Sequence, residues 1–151
     1  MQKHATLLDY YNNQWLLVQK LQGQLVHIDL VAYESRYVFA VKMQQYFTAI
    51  EDLLKQVAKN FENPIQDLSM FHKELLLRLH TAIPSIRPSL LSEESFLLLD
   101  KIRAFRHFIC HAYDCELLEN ELKEIQNKLK TQFSVLEKDF SEFRRFVESL
   151  S

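Results

Sequence analysis

Five residues in one short stretch of the chain carry side chains that take part in phosphate chemistry. Between positions 103 and 113 stand Arg103, Arg106, His107, His111 and Tyr113. An arginine can bind a phosphate with two parallel hydrogen bonds, and a histidine can transfer a proton near neutral pH. A tyrosine hydroxyl can act as a nucleophile or accept a transferred group. The pattern Arg-x4-His-x-Tyr therefore indicates phosphodiester chemistry.

The same residues would fall on two neighbouring faces of a regular helix. Arg103, Arg106 and Tyr113 share one face, and His107 and His111 share the next. Arg106 and His111 are about 140° apart around the axis, so one helix does not direct both at one atom. Two copies of the helix facing each other across a two-fold axis would bring the arginine of one copy to the histidine of the other. We therefore expect the site to lie in a homodimer.

The reaction that fits these groups is cleavage of RNA without a metal or another cofactor. A neutral histidine can take the proton of a ribose 2′-hydroxyl, which then attacks the neighbouring phosphorus, and an arginine can stabilise the charge on the phosphate. DNA lacks the attacking hydroxyl and is not an expected substrate. The residues alone leave open a structural ion-binding or capping role for Arg106 and His111. A zinc site is not expected, because His107 and His111 have no further Cys or His pair at ligand spacing.

Composition indicates a helical protein of the cytoplasm. The 151 residues are 48% hydrophobic and include only one glycine and three prolines, which favours long helices over an all-β fold. Two cysteines are too few for a disulfide framework. No signal peptide and no apolar run long enough to cross a membrane is expected. Residues 72–111 carry six basic and four acidic groups, so the motif lies in the only stretch with net positive charge.

Hydrophobic periodicity predicts one all-α domain over residues 1–151, an antiparallel bundle of about five main helices. Residues 25–34 are ambiguous between a short helix and an extended link. Ser92 is expected to cap the motif helix, and Asp114 to cap the last one. The predicted helices cover residues 5–22, 35–61 (stopped by Asn63-Pro64), 68–82 (closed by Pro84 and Pro88), 92–111 and 116–149.

The motif resembles that of the HEPN superfamily, an arginine followed after four to six residues by a histidine. Arg106 and His111 match with a four-residue gap, and His107 fills the polar position after the arginine. With Tyr113 the pattern is similar to the HepT toxins of MNT/HEPN toxin–antitoxin systems. The likeness covers roughly residues 37–125 and includes Phe71-His72-Lys73-Glu74-Leu75-Leu76 and Ile86-Arg87-Pro88. Cys110 departs from it, since the family often has a basic residue before the motif histidine.

The resemblance implies a helical bundle that dimerises around the motif helix and a toxin that is a metal-independent endoribonuclease. Arg106 and His111 would be catalytic, supported by His107 and Arg103, and cellular RNA, with tRNA as the expected class, would be the substrate. It also implies a partner, an MntA-like minimal nucleotidyltransferase antitoxin that attaches AMP to Tyr113. The alternative is a non-catalytic HEPN-like protein that binds a nucleotide or docks a nucleotidyltransferase. Loss of toxicity on replacing His111 would separate the two hypotheses.

Overall fold

The computed structural model describes residues 2–62, 71–111 and 116–150, and within the motif it describes the backbone of residues 107–111 but not their side chains. The described chain is all-helical apart from an isolated bridge between Ile83 and Arg87. This confirms the predicted fold class, a bundle of five helices. The helices are α1 Gln2–Val26, α2 Tyr33–Phe61, α3 Phe71–His80, α4 Glu93–His111 and α5 Glu119–Ser149.

The two longest helices, α2 and α5, supply most of the core, and α1 packs against both. Along each of them apolar residues recur every three or four positions, so that one stripe of the helix is buried. Trp15 of α1 stacks between Phe133 and Phe140 of α5, with ring centroids 5.9 and 4.5 Å away. Trp15 thus packs against the core.

Buried polar side chains fix how α1 lies against its neighbours. The Tyr46 hydroxyl donates to Oε1 of Gln22 at 2.8 Å, and Nε2 of Gln22 donates to the carbonyl of Leu129 at 2.9 Å. Tyr11 donates to the carbonyl of Phe140 at 2.6 Å. Burial raises the pKa of Tyr11 and of Tyr46, so both remain neutral donors. A sliding movement of α1 would leave these groups unpaired in the core, which costs about 1–3 kcal/mol each.

The boundaries of α1 and α5 differ from the prediction. Helix α1 continues through Gly23 to Val26, because Leu21 and Leu25 are buried and outweigh the roughly 1 kcal/mol that a helical glycine costs. Helix α5 begins at Glu119, and its N-cap is Leu118, which makes no side-chain capping bond. The prediction that Asp114 caps this helix is therefore wrong. Asp114 itself lies outside the described residues.

The turn between α3 and α4 is held by one buried arginine. The Arg87 side chain is 0% exposed and pairs with Glu62 at the end of α2. Its remaining donors reach the carbonyls of Thr81, Pro88 and Arg78 at 3.0–3.1 Å. Arg87 thus joins the end of α2 to three carbonyls of the turn, which gives it a structural role. Helix α3, predicted to reach residue 82, ends here at His80.

No helix among residues 2–62, 71–111 and 116–150 is both long and apolar enough to cross a membrane.

Candidate active site

Helix α4 carries four of the five predicted site residues, and its start is anchored to α5. The Ser92 hydroxyl accepts a hydrogen bond from the backbone N–H of Ser95 at 3.3 Å, which confirms the predicted cap. The backbone N–H and the hydroxyl of Ser92 both donate to Oδ2 of Asp139, at 2.9 and 2.6 Å. Farther along, Nζ of Lys101 lies 2.6 Å from Oε1 of Glu124. These contacts set the direction in which α4 carries the motif.

Arg106 lies on the buried stripe of α4, not on its solvent face. Ser95, Leu99 and Ile102 are buried, and Arg106 follows them at the same steps of three and four residues. The Arg106 side chain is half-buried. The helix thus places an arginine where its pattern would be continued by an apolar residue, and a charged group at such a position needs a specific reason.

An aromatic ring on α2 supports the guanidinium of Arg106. The guanidinium lies over the ring of Phe47 on α2, 5.6 Å from the ring centroid. This is a cation–π arrangement, and Phe47 is itself fully buried. Nε of Arg106 is shielded from solvent and has no hydrogen-bond partner among the described residues. A buried donor on a permanently charged group, left without an acceptor, suits an anion from outside the fold.

Arg103, predicted as a supporting residue, is engaged within its own helix. Its Nε donates to Oδ1 of Asp100 at 2.8 Å, and both side chains are partly exposed. This pairing reduces the positive charge that Arg103 offers to a ligand. Asp100 carried no signal in the sequence beyond its spacing of three residues, at which two helical side chains can meet.

The other predicted residues are only partly located. The backbones of His107 and His111 belong to the last turns of α4, but the structure does not describe their side chains. Tyr113 lies outside the described residues. Their roles therefore stay predictions.

Arg36 is a residue that the sequence analysis missed, and it secures the chain just after the motif. Its Nη1 donates to the carbonyl of Leu117 at 3.2 Å, and its Nη2 lies 3.7 Å from Oε2 of Glu119, the first residue of α5. A hydrogen bond from Lys123, with help from Arg36, lowers the pKa of Glu119. The start of α2 is thereby tied to the segment that follows the motif. Nothing in the local sequence around Arg36 predicts a contact with a residue 81 positions away.

Two cavities among the described residues lie away from the motif. One of about 520 Å³ is a groove between α1 and α5, lined by Trp15, Gln19 and Arg144 among others. The other, of about 450 Å³, lies beside the Glu62–Arg87 pair. No group of three or more His, Cys, Asp or Glu side chains in the described part of the chain could hold a metal ion.

Comparison with known proteins identifies a family that most of the chain resembles. Searches of curated proteins and of solved structures find no significant similarity. The family described as HepT-like protein matches residues 38–147, which include α2 from its second turn, α3, α4 and nearly all of α5. Helix α1 lies outside the matched region, although its side chains complete the core. Because the match covers well over half of the sequence and contains the motif helix, the chain belongs to the HepT-like family within the HEPN superfamily.

Proposed function

We propose that this chain is a metal-independent endoribonuclease, the toxin of a toxin–antitoxin pair. Its membership of the HepT-like family supports the coarser part of the proposal, since HEPN-type proteins of this kind are toxins and generally ribonucleases. The finer part, that Arg106 and His111 cleave RNA, rests on residue chemistry. The observation that carries it is the half-buried Arg106, with its unpartnered Nε and its guanidinium held against Phe47.

In this scheme each catalytic side chain has a distinct task. Neutral His111 accepts the proton of the ribose 2′-hydroxyl as that oxygen attacks the adjacent phosphorus. The bond from phosphorus to the 5′-oxygen breaks, and the departing oxygen takes up a proton from water. Arg106 neutralises the charge that grows on the non-bridging oxygens. The products are a 2′,3′-cyclic phosphate and a 5′-hydroxyl end.

We further propose that the active form is a homodimer. The two catalytic side chains are about 140° apart around α4, so a composite site needs the arginine of one copy and the histidine of the other. The homodimer thus supplies the geometry that one helix lacks.

The proposed partner is a minimal nucleotidyltransferase that adds AMP to Tyr113. The family context of toxin–antitoxin pairs supports a partner of this general kind. If the helix is continued two residues past His111, Tyr113 lies about 20° around the axis from Arg106. An AMP phosphate on the phenol would then reach the anion site and exclude the phosphate of RNA.

The test is RNA cleavage by purified protein with EDTA present. We expect wild type to cut a tRNA pool and leave cyclic phosphate ends. Arg106→Ala and His111→Ala should each slow cleavage about 10²–10⁴-fold, the usual cost of losing a group that acts in the transition state. Arg145→Ala removes an exposed arginine of α5 and serves as the matched control.

Cleavage by His111→Ala at the wild-type rate would contradict the assigned base. Tight RNA or nucleotide binding without any cleavage by wild type would instead favour the non-catalytic alternative. Activity that requires an added metal ion would contradict the metal-independent scheme.

A further inference from the structure

Two tyrosines at the start of α2 form an exposed aromatic pair that the proposed chemistry does not use. The side chains of Tyr33 and Tyr37 are 49% and 44% exposed. Their ring centroids are 5.4 Å apart with an interplanar angle of 75°, and their hydroxyls are 2.8 Å apart. The guanidinium of Arg36 lies 5.6 Å from the centre of the Tyr33 ring. These contacts help to hold the pair in place, and about half of each side chain is exposed.

The pair is on the helix that holds Arg106. Phe47, whose ring supports the Arg106 guanidinium, is 10 residues after Tyr37 and 14 after Tyr33. On a regular helix Tyr33 and Tyr37 lie about 40° and about 80° around the axis from Phe47, so they adjoin the face of α2 that carries Phe47. The distances along the axis are about 21 and 15 Å. Tyr33 and Tyr37 therefore lie beside the face of α2 that supports Arg106, displaced from Arg106 toward the start of α2.

This separation suits a strand of nucleotides. At about 3.4 Å per stacked nucleotide, 15–21 Å corresponds to roughly four to six nucleotides, and to fewer if the strand is stretched. Unpaired bases stack on aromatic side chains, whereas the bases of a duplex are already stacked on each other. A strand whose phosphate rests at Arg106 can therefore bring a nearby unpaired base to the tyrosines.

The local charges indicate that the tyrosines would hold a base and not a phosphate. Arg36 is paired with Glu119, and Glu34 is exposed one turn away from Tyr37. Among the side chains that the structure describes, the patch thus offers no surplus positive charge, so attraction to the backbone of RNA is weak there. Stacking, which every base can provide, is the interaction that remains.

We propose that Tyr33 and Tyr37 form a stacking platform for an unpaired base of the RNA substrate, away from the cleaved bond. This rests on the proposed ribonuclease function for its phosphate site at Arg106. It adds two residues that bind the substrate to those proposed to cleave it.

The test measures binding of a fluorescent single-stranded 2′-O-methyl RNA to the full chain by fluorescence anisotropy. This probe lacks the attacking hydroxyl, so binding is observed without cleavage. The double variant Tyr33→Ala/Tyr37→Ala should bind about 5- to 140-fold more weakly, the equivalent of losing one stacked base. Tyr33→Phe/Tyr37→Phe keeps both rings and should bind like wild type. Leu16→Ala, which removes a 63% exposed side chain from α1, is the control for loss of exposed apolar surface.

Salt dependence separates stacking from charge. For single strands the logarithm of affinity falls with the logarithm of salt concentration by about 0.7 for each phosphate contacted. The alanine double variant should keep the wild-type slope, whereas Arg106→Ala should reduce it by about 0.7. A slope reduced by the tyrosine substitutions would overturn the stacking role.

Each remaining outcome decides the proposal. Unchanged affinity of a folded alanine double variant, or no binding of single strands by wild type, would overturn the platform. Loss of the dimer mass in the alanine double variant would also overturn the platform, because the two tyrosines would then be contacts between copies of the chain. If wild type cleaves RNA and the alanine double variant binds and cleaves it equally well, the stacking proposal is wrong and the ribonuclease proposal stands. If wild type binds through the tyrosines but cleaves nothing, the platform stands and the ribonuclease proposal fails.

Discussion

Replacing Arg106 by methionine should remove function without loss of stability, because one buried donor of the arginine is unsatisfied among the described residues. Its Nε is buried without a partner among the described residues, and such a donor costs about 1–3 kcal/mol. The stacking of its guanidinium on Phe47 offsets about 0.5–2 kcal/mol of that cost. Methionine can occupy the apolar position and has a similar helix propensity. The free energy of unfolding should therefore change by about −1 to +2.5 kcal/mol, centred on slight stabilisation.

Arg87→Met is the matched control, since it is the same substitution at an arginine whose contacts are complete. Arg87 is 0% exposed, and its removal leaves Glu62, 10% exposed, without its closest partner. Breaking a buried pair costs about 3–5 kcal/mol. For a chain of this size 1 kcal/mol corresponds to about 2–4 °C in Tm. Arg87→Met should thus lower Tm by about 6–20 °C, while Arg106→Met leaves it within a few degrees or raises it.

The assay is thermal unfolding followed by far-UV circular dichroism, at one protein concentration because subunit association stabilises the folded state. Inorganic phosphate should raise Tm of wild type and not of Arg106→Met, because an anion that binds only the folded site stabilises it. If Arg106→Met lowers Tm as much as Arg87→Met does, Arg106 has a strong partner within the fold. The idea of an open anion site would then be wrong.

Two further predictions concern assembly and control. Light scattering should give about twice the 18.0 kDa chain mass. Mixing Arg106→Ala with His111→Ala protein should restore part of the cleavage activity, because hybrid dimers contain one intact site. Exchange of subunits without any recovery of activity would contradict the shared site. With the cognate nucleotidyltransferase and ATP, mass spectrometry should find AMP on Tyr113 together with lost nuclease activity. Tyr113→Phe should stay active and escape this control, because it lacks the acceptor oxygen; its efficient neutralisation would show that the antitoxin acts by docking or at another residue.

The sequence predicted the helical bundle because local rules and packing agree in it. Apolar residues at helical spacing, the Ser92 cap and the Asn63-Pro64 stop each act within a few residues of their position. The predicted helix boundaries are wrong where they depend on contacts with residues distant in the sequence. Helix α1 passes Gly23 because Leu21 and Leu25 on either side of it are buried. The start of α5 follows a segment whose Leu117 is buried and has its carbonyl bound by Arg36. Neither contact can be inferred from neighbours in the sequence.

The sequence identified the residues of the candidate site but not the side chains that surround them. Spacing alone placed Arg106 and Arg103 on one face, as if both were available to a ligand. The structure gives them different environments, since Arg103 is paired with Asp100 and Arg106 rests on Phe47. Phe47 is 59 residues before Arg106 and reads as an ordinary core residue of α2, so its role as a support for the guanidinium needs the packing of two helices to be known.

Arg106 is a charged residue at a helix position that the apolar pattern would bury. Proteins keep such destabilising residues mainly at functional positions, where other contacts of the fold compensate for the lost stability. Here the support comes from α2, whose Phe47 holds the guanidinium and whose Tyr33 and Tyr37 are proposed to hold a base. Lys42 binds Gln24 of α1 at 2.9 Å, and Glu51 binds His72 of α3 at 2.6 Å, so α2 is fixed on two sides. A helix anchored in this way keeps the distance between phosphate site and base site constant. If both proposals hold, the length of unpaired RNA that the protein accepts is set by α2, although the residues proposed to cleave it are carried by α4.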